Sequence, residues 1–303
     1  MGYKSVMHDN EIPLGTELVH RLVAQQFPQW AGLPVTALAL GGTDHALFRL
    51  GDGLVARMPR IGWAAGQAES DSRWLPVLAP HLPLAVPVPV AVGEPDEDFP
   101  WRWAVVPWLR GENPPSGNVD LEHAAVQLAE FVTALRSVDT AGAPAASRGV
   151  PLAKRDEPTR AAIAELGDRI DGRRVTAAWE QALSANAWTR EPVWSHGDLS
   201  AGNLLARQRK LSAVIDWGGV GVGDPAVDLM PAWSIFDGRS RLAYREALGR
   251  DFGGDEDMWQ RGRGWALSTA LIALPYYFDR YPGIVAESKA KIAAVLADIV
   301  TEI

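Results

Sequence analysis

The hydrophobic pattern of this chain changes its period near residue 110, and this change constrains the fold more than any other feature of the sequence. Before it, apolar runs have the length of strands and are separated by turn sequences such as GGTD and GDG. These runs are VTALAL (35–40), HALFRL (45–50), GLVARM (53–58) and WRWAVVPWL (101–109). Beyond it, apolar residues recur at helical spacing, as in segment 121–138. The pattern predicts a part that contains a sheet, followed by a mainly helical part.

The two parts are joined by GENPPSGN, a Gly-, Pro- and Asn-rich segment at 111–118. We place a domain boundary there. Residues 1–110 are expected to form an N-terminal lobe with an antiparallel sheet and one main helix at 67–78. Residues 111–303 are expected to form a larger, mostly helical lobe with one hairpin around the RQRK turn at 207–210. The predicted fold class is therefore α+β with two lobes.

Composition excludes several classes of partner. The 303 residues carry 29 basic and 37 acidic side chains, and the net charge of −8 opposes nonspecific binding to nucleic acid or to an anionic membrane. The sequence has no cysteine, so it offers neither disulfides nor thiolate metal ligands. It begins with nothing like a signal peptide and has no apolar run of about 18 residues. We expect a cytoplasmic protein without a membrane span.

Three oxygen-bearing side chains lie at a fixed spacing in the second part. WSHGDLSAGNLL places Asp198 five residues before Asn203, and Asp216 follows in VIDWGG after a predicted hairpin. A carboxylate can orient or deprotonate a hydroxyl, whereas amide and carboxylate oxygens ligate Mg²⁺, which takes few protein ligands besides phosphate and water. The set is typical of phosphoryl transfer, with Asp198 as the base and Asn203 and Asp216 as the metal ligands.

The wider motif comprises His196-Gly197-Asp198, Asn203, Asp216-Trp217-Gly218 and the segment GDPAVDL at 223–229. In this form it resembles the aminoglycoside phosphotransferase family, relatives of the macrolide, choline and protein kinases. The resemblance implies a protein-kinase-like fold, Mg²⁺ with ATP or GTP as the phosphoryl donor, and O-phosphorylation of a small-molecule hydroxyl. It also implies two supporting residues: His196 would organise the loop, and Asp228 would hold it by hydrogen bonds.

The resemblance extends to the first lobe, where it implies a nucleotide site. Segment 41–60 is similar to the family's nucleotide-loop hairpin and third strand. The loop residues that would approach the triphosphate are Gly41, Gly42, Thr43 and Asp44. Arg57 stands where protein kinases have a lysine. A guanidinium is also cationic and can bind phosphate through two hydrogen bonds, with a different geometry.

Two further elements of the nucleotide site follow from the same resemblance. The acidic partner of Arg57 is expected on the helix at 67–78, where the family position falls at Asp71, with Glu69 as the alternative. The nucleotide base is expected to bind backbone groups from Val106 to Leu109, where Pro107 removes one donor. This segment does not distinguish ATP from GTP.

Other functions have less support in the sequence. Segment 221–226 fits the dinucleotide fingerprint G-x-G-x-x-A, but the alternating βαβ units that this fingerprint requires are missing from the pattern. The sequence contains neither a P-loop motif nor G-x-S-x-G, and its six histidines lack metal-ligand spacing. A kinase-like protein that binds a nucleotide without transferring phosphate remains an alternative, although Asp198, Asn203 and Asp216 are all present.

The acceptor is the least constrained part of the prediction. In the family that the motif resembles, acceptor specificity lies in the carboxy-terminal helices. Here segment 230–280 offers both acidic and aromatic side chains. Together with the net negative charge, the acidic side chains favour a cationic amino-sugar antibiotic as the small-molecule partner. A macrolide and a small metabolite alcohol are the alternatives.

Overall fold

Two units make up the fold, and the chain passes from the first to the second after Arg110. The first contains residues 1–80 and 85–110, and the second contains residues 81–84 and 111–303. The computed structural model describes residues 11–38, 44–114, 119–249 and 255–301. The predicted nucleotide-loop residues Gly41, Gly42 and Thr43 lie outside these ranges.

The first unit is built on an antiparallel sheet with the strand order β1-β2-β3-β5-β4. In chain order its elements are α1 (Thr16–Gln26), β1 (Val35–Ala37), β2 (His45–Leu50), β3 (Leu54–Pro59), α2 (Gln67–Leu78), β4 (Ala91–Gly93) and β5 (Trp103–Pro107). Each strand is short and apolar and is bounded by turn sequences, as the periodicity predicts.

Alternation along the central strands divides the apolar side chains of this unit between the two faces of the sheet. On one face, Met58 of β3 and Trp103 of β5 join a buried cluster with Leu22 of α1. On the other face, Val55 and its neighbours on β5 pack against Ala68 of α2. Arg57 is two residues from Val55 on the same strand, so it faces α2.

Two elements of the first unit are shorter than the sequence pattern predicts. The Pro-rich apolar run LAVPVPVAVGE at 84–94 predicts an extended edge strand, but only Ala91–Gly93 forms one, because Pro87 and Pro89 cannot donate to a ladder. This strand, β4, does lie at an edge of the sheet. The helical spacing of apolar residues from Thr16 to Trp30 predicts one helix, but α1 ends at Gln26, since Pro28 begins a separate 3₁₀ turn, Pro28–Trp30.

The second unit is mainly helical. Its helices are α3 (Leu121–Arg136), α4 (Asp156–Leu166), α5 (Gly172–Ser184), α6 (Pro231–Ser234), α7 (Gly238–Ala247), α8 (Glu256–Tyr277) and α9 (Pro282–Thr301). Its strands form two antiparallel pairs: β6 (Val193–Ser195) with β9 (Gly221–Gly223), and β7 (Leu204–Arg207) with β8 (Lys210–Val214). Within the described ranges, no helix has both the length and the apolar character that crossing a membrane requires.

The β7–β8 hairpin lies where the sequence predicts it. Its turn residues Gln208 and Arg209 both have positive φ, 51° and 66°, a tight-turn geometry that matches the twist of the strands. The opposite end of this hairpin places Asn203 next to Ile215, whose N–H donates to the Asn203 carbonyl at 2.9 Å. The hairpin therefore brings Asn203 close to the residue that precedes Asp216.

The packing of β4 on β5 yields a stability prediction for Gly93→Ala. A Cβ at position 93 would lie 2.1 Å from the ring of Trp103, which is fully buried. The strands must separate or the indole must move, so we expect a loss of about 1–3 kcal/mol in the free energy of unfolding, measured by urea titration. Gly53→Ala is the matched control, because nothing lies within 4 Å of a Cβ at that position. Equal stability of the two variants would contradict this packing.

Candidate active site

Asp198 lies in a short loop between β6 and the 3₁₀ turn Ala201–Asn203. Its side chain is partly exposed, with 41% of its surface accessible to solvent. Gly197 in this loop has φ +79° and lies close to the backbone of Gly219. A Cβ at position 197 would be only 2.9 Å from the Gly219 carbonyl oxygen. Gly197 is thus the residue that gives the loop both its turn and its close packing.

The loop is held by Asp228, which comes from the 3₁₀ turn Pro225–Leu229 and is fully buried. One carboxylate oxygen accepts the N–H of His196 at 2.9 Å, and the other accepts the N–H of Gly197 at 2.8 Å. Burial raises the pKa of Asp228, an effect that Arg136 and the two backbone amides oppose. The hydroxyl of Tyr244 donates to the Asp228 backbone carbonyl at 2.7 Å, which ties the Pro225–Leu229 turn to α7.

His196 links the loop that carries Asp198 to the end of β8. Its Nδ1 accepts the Asp198 N–H at 3.2 Å, and its Nε2 lies 3.2 Å from the Ile215 carbonyl oxygen. With Nδ1 as the acceptor of the Asp198 N–H, Nε2 is the nitrogen that donates to the Ile215 carbonyl oxygen. The ring is buried and packs edge-on against Trp217, with 4.8 Å between the centroids. Both ring nitrogens are therefore used in holding the backbone.

Asn203 and Asp216 lie near each other at one end of the β7–β8 hairpin. The Asn203 side-chain nitrogen donates to the Asp198 carbonyl at 2.8 Å and lies 3.4 Å from Oδ2 of the Asp198 carboxylate. Asp216 has φ +61°, a left-handed conformation that is uncommon for a residue other than glycine. Strain of this kind is concentrated at functional sites, where the surroundings enforce it.

The donor set of Asn203 and Asp216 fits a magnesium ion. The amide nitrogen of Asn203 is used within the loop, so its oxygen is the atom left for a cation, and Asp216 supplies a second hard oxygen. In the described ranges no three His, Cys, Asp or Glu side chains group as metal ligands do. A site with two protein ligands is instead one that phosphate oxygens and water would complete.

In the first unit, Arg57 and Asp71 form a buried ion pair. The Arg57 Nη1 lies 2.8 Å from Oδ2 of Asp71, whose side chain is completely buried, and Gln67 donates to the other carboxylate oxygen at 3.1 Å. Glu69, the alternative partner, is exposed and forms an ion pair with Arg102 at 3.1 Å. Helix α2 turns the two acids to different faces, because they are two residues apart.

The remaining predicted nucleotide contacts lie around the same sheet. Asp44 precedes β2, and its carbonyl oxygen accepts the N–H of Arg60 at 2.9 Å. Val106 is buried in β5 opposite Val55, whereas Leu109 is half-buried beyond the end of that strand. Their roles in nucleotide binding stay predictions.

Arg148 contacts the predicted base Asp198, and the sequence did not indicate this contact. Arg148 lies in AGAPAASRG (141–149), a segment whose composition predicts only a loop. Its Nη1 donates to Oδ1 of the Asp198 carboxylate and, at 3.3 Å, to the Gly197 carbonyl oxygen. A single arginine in a loop has no periodicity and no fixed offset from a motif. The contact joins residues 50 positions apart, so no local pattern indicates it.

Two buried arginines that support the turn at Pro225–Leu229 were also missed. Arg261 of α8 forms an ion pair with Asp224 at 2.6 Å, and Arg136 of α3 donates to the Pro225 carbonyl at 2.9 Å. Both lie on helices whose apolar periodicity is clear, so their positions on the buried face are the available signal. A charged residue on a buried helix face indicates a partner in the interior.

The two hydrogen bonds to Asp228 predict that Asp228→Asn destabilises the protein. Asparagine offers one acceptor oxygen, so one of the two backbone N–H groups would face an amide NH₂ inside the protein. We expect a loss of about 3 kcal/mol in the free energy of unfolding, measured by chemical denaturation. Asp171→Asn is the control, since Asp171 caps α5 with one backbone hydrogen bond that asparagine caps equally well. A loss no larger in Asp228→Asn than in the control would contradict the role of Asp228.

Comparisons with known proteins identify the family. The family model described as "Phosphotransferase enzyme family" matches residues 35–265, more than half of the chain. The aminoglycoside 3'-phosphotransferase of Escherichia coli is 30% identical over 127 residues, which are 41% of this chain and 45% of that enzyme. The chain therefore matches less than half the length of this curated relative.

Solved structures with a similar fold include APH(2")-IIia in complex with GDP and kanamycin, with a TM-score of 0.72 and 19% identity over 93% of this chain and 99% of that chain. They also include the macrolide 2'-phosphotransferase MphH from Brachybacterium faecium, with a TM-score of 0.59 and 24% identity over 93% of this chain and 98% of that chain. The predicted α+β, kinase-like fold class is confirmed. Since the family model extends from β1 into α8, the chain is a member of the phosphotransferase enzyme family.

Proposed function

We propose that the protein transfers the γ-phosphoryl group of a nucleoside triphosphate to a hydroxyl group of a small molecule. The observation that carries this proposal is the geometry of the catalytic loop. The amide nitrogen of Asn203 donates to the backbone carbonyl of the partly exposed Asp198 and lies 3.4 Å from its carboxylate, so the Asn203 oxygen is left for a cation, and Asp216 follows at the same end of the hairpin. A base and two hard oxygen ligands are what phosphoryl transfer requires of a protein.

Asp198 would act on the acceptor. Its carboxylate accepts a hydrogen bond from the acceptor hydroxyl, aims that oxygen at the γ-phosphorus, and takes the proton as the new P–O bond forms and the bond to the nucleoside diphosphate breaks. Asn203 and Asp216 would hold Mg²⁺, which when bound neutralises charge on the phosphate oxygens. His196 and Asp228 hold the loop and do not touch the reacting atoms.

The first unit would bind the nucleotide. Arg57 would contact the phosphates, with Asp71 holding the guanidinium in place from α2. Gly41, Gly42, Thr43 and Asp44 would approach the triphosphate through their backbone, and Val106 to Leu109 would contact the base. ATP and GTP are both candidate donors. A nucleoside triphosphate donor fits the cytoplasmic location predicted from the sequence.

An aminoglycoside is the leading acceptor. The E. coli relative is named as an aminoglycoside 3'-phosphotransferase, and one structure of similar fold was solved with kanamycin. The net charge of −8 favours a polycationic acceptor. A macrolide is the second candidate, because the macrolide 2'-phosphotransferase of similar fold is 24% identical.

The function predicts that Asp198→Asn abolishes phosphate transfer. Aminoglycosides, macrolides and small metabolite alcohols would be screened with ATP and with GTP, and formation of the nucleoside diphosphate and the phosphorylated acceptor measured. We expect kcat to fall by roughly 10²–10⁴-fold in Asp198→Asn, because the amide cannot take the proton. EDTA is expected to stop the reaction of the wild-type protein.

Asp171→Asn is the matched control, since it removes one carboxylate from a helix cap in the same unit. Nucleotide binding without turnover on any acceptor would favour a non-catalytic kinase-like protein and contradict the proposal. Transfer that survives in Asp198→Asn would reject Asp198 as the base.

The nucleotide site predicts a difference between two acids on α2. Asp71→Asn removes the buried partner of Arg57, so we expect the KM for the nucleotide to rise by about 10-fold or more. Glu69→Gln breaks only an exposed ion pair with Arg102 and is expected to change this KM less than twofold. Equal effects of the two substitutions on KM would show that the Arg57–Asp71 pair has no part in nucleotide binding.

A further inference from the structure

Arg148 contacts the catalytic carboxylate from a segment 50 residues earlier in the chain. Its Nη1 donates to Oδ1 of Asp198 and to the carbonyl oxygen of Gly197, so one guanidinium holds both the side chain and the backbone of the loop. The side chains of Arg148 and Asp198 are each about two-fifths exposed, at 39% and 41%. A surface ion pair contributes little to stability, so stability alone does not account for this contact.

The segment that carries Arg148 is fixed by backbone hydrogen bonds to β9 and the residue after it. The Val222 N–H donates to the Pro144 carbonyl at 2.8 Å, and the Ala146 N–H donates to the Val222 carbonyl at 3.0 Å. The Asp224 N–H donates to the Gly149 carbonyl at 2.7 Å. Because these bonds lie on both sides of Arg148, its Cα has a defined position.

The glycines of β9 make this close approach possible. A Cβ at Gly221 would lie 2.5 Å from the Cα of Ala146, and a Cβ at Gly223 would lie 2.5 Å from the carbonyl oxygen of Gly149. Any side chain at these positions would push segment 144–149 away from the strand. The pattern G-x-G in this strand therefore accommodates the Arg148 segment, and the fold gives it no role in binding a dinucleotide.

The Asp198 carboxylate is bracketed by two donors. Arg148 takes Oδ1, and the amide nitrogen of Asn203 lies 3.4 Å from Oδ2. An aspartate carboxylate otherwise turns easily about its last torsion angle. One donor at each oxygen sets the plane of the carboxylate, and the longer, weaker contact at Oδ2 makes Oδ2 the oxygen more accessible to an acceptor hydroxyl.

We propose that Arg148 is a positioning residue, which orients the Asp198 carboxylate toward the acceptor and is held in place by the glycines of β9. The inference rests on the proposed phosphotransferase function of Asp198. Arg148 acts through Asp198 and takes no proton. Errors of about 1 Å in the position of a reacting group can cost roughly 100-fold in rate. The orientation of the Asp198 carboxylate by Arg148 can therefore have a large effect on kcat.

A variant of Lys291 can distinguish the loss of Asp198 orientation from the loss of a positive charge near Asp198. It lies on α9 within electrostatic range of both Asp198 and Arg148; burial lowers its pKa, and the Asp198 carboxylate opposes that shift. Its ammonium group forms no hydrogen bond or ion pair with any residue of the described ranges. Lys291→Gln therefore removes a positive charge near Asp198 without removing a bond to it.

The kinetic test compares Arg148→Gln, Arg148→Lys and Lys291→Gln. For Arg148→Gln we expect kcat to fall by about 10- to 100-fold while the KM values for nucleotide and acceptor change less than threefold. Arg148→Lys should recover part of kcat, because one donor remains, and Lys291→Gln should stay within threefold of the wild type. A rise in the acceptor KM with unchanged kcat, or an equal loss in Lys291→Gln, would overturn the proposal.

A second set of variants displaces the segment that carries Arg148 and leaves the Arg148 side chain itself unchanged. Gly223→Ala is expected to lower kcat as Arg148→Gln does, and the double variant should be no slower than the slower single variant. Gly238→Ala is the control, because a Cβ there meets nothing within 4 Å. Thermal melts identify any variant that does not fold; if Gly223→Ala fails to fold, Gly221→Ala replaces it. If the losses in kcat of the two single variants add up in the double variant, Gly223 does not act through Arg148, and the proposal is contradicted.

A spectroscopic readout needs no acceptor. The Nε–Hε resonance of Arg148, assigned by its loss in Arg148→Gln, is expected to shift in Asp198→Asn and in Gly223→Ala but not in Gly238→Ala. An unshifted resonance in Asp198→Asn would reject the contact. If the wild type transfers phosphate to no acceptor, the proposed function fails, while this measurement still decides whether Arg148 holds Asp198.

Discussion

The buried carboxylate of Asp228 accepts the backbone N–H groups of His196 and Gly197, and the geometry of the loop that carries Asp198 depends on these two bonds. A tight loop cannot pair its own amides in a helix or a sheet, and a buried N–H without an acceptor costs about 1–3 kcal/mol. A single carboxylate supplies both acceptors. The cost of burying that carboxylate, visible in its raised pKa, is opposed by Arg136 and by the amides it binds.

Side-chain hydrogen bonds then fix the other residues of the proposed site relative to this loop. His196 connects the Asp198 amide to the end of β8, and Asn203 connects the Asp198 carbonyl to the start of β7. Asp216, the third residue of the proposed site, has a left-handed backbone conformation. Arg148 adds a contact from a distant segment. The proposed site is therefore held mainly by side-chain bonds to loop backbone, which explains its concentration of glycines, aspartates and strained residues.

Much of the fold, and the proximity of the candidate site residues, could be predicted from the sequence. Asp198, Asn203 and Asp216 lie within one loop and one hairpin, so their spacing alone brings them near one another. The sheet of the first unit follows from strand-length apolar runs, and the long helices follow from their spacing. The errors are at element ends: the Pro-rich run at 84–94 is mostly not strand, and α1 ends before Pro28. Proline removes donors that periodicity does not count.

The sequence by itself determined that a sheet-containing part precedes a helical part, where the hairpin lies, and that Asp198, Asn203 and Asp216 lie near one another, because each depends on contacts between residues close in the chain. Only the tertiary structure decided that Asp71 and not Glu69 faces Arg57, that Arg148 reaches Asp198, and that Gly221 and Gly223 accommodate the segment carrying it. These contacts join segments that only the packed fold brings together. Such contacts leave no fixed spacing in the sequence, and only the packing of the chain specifies them.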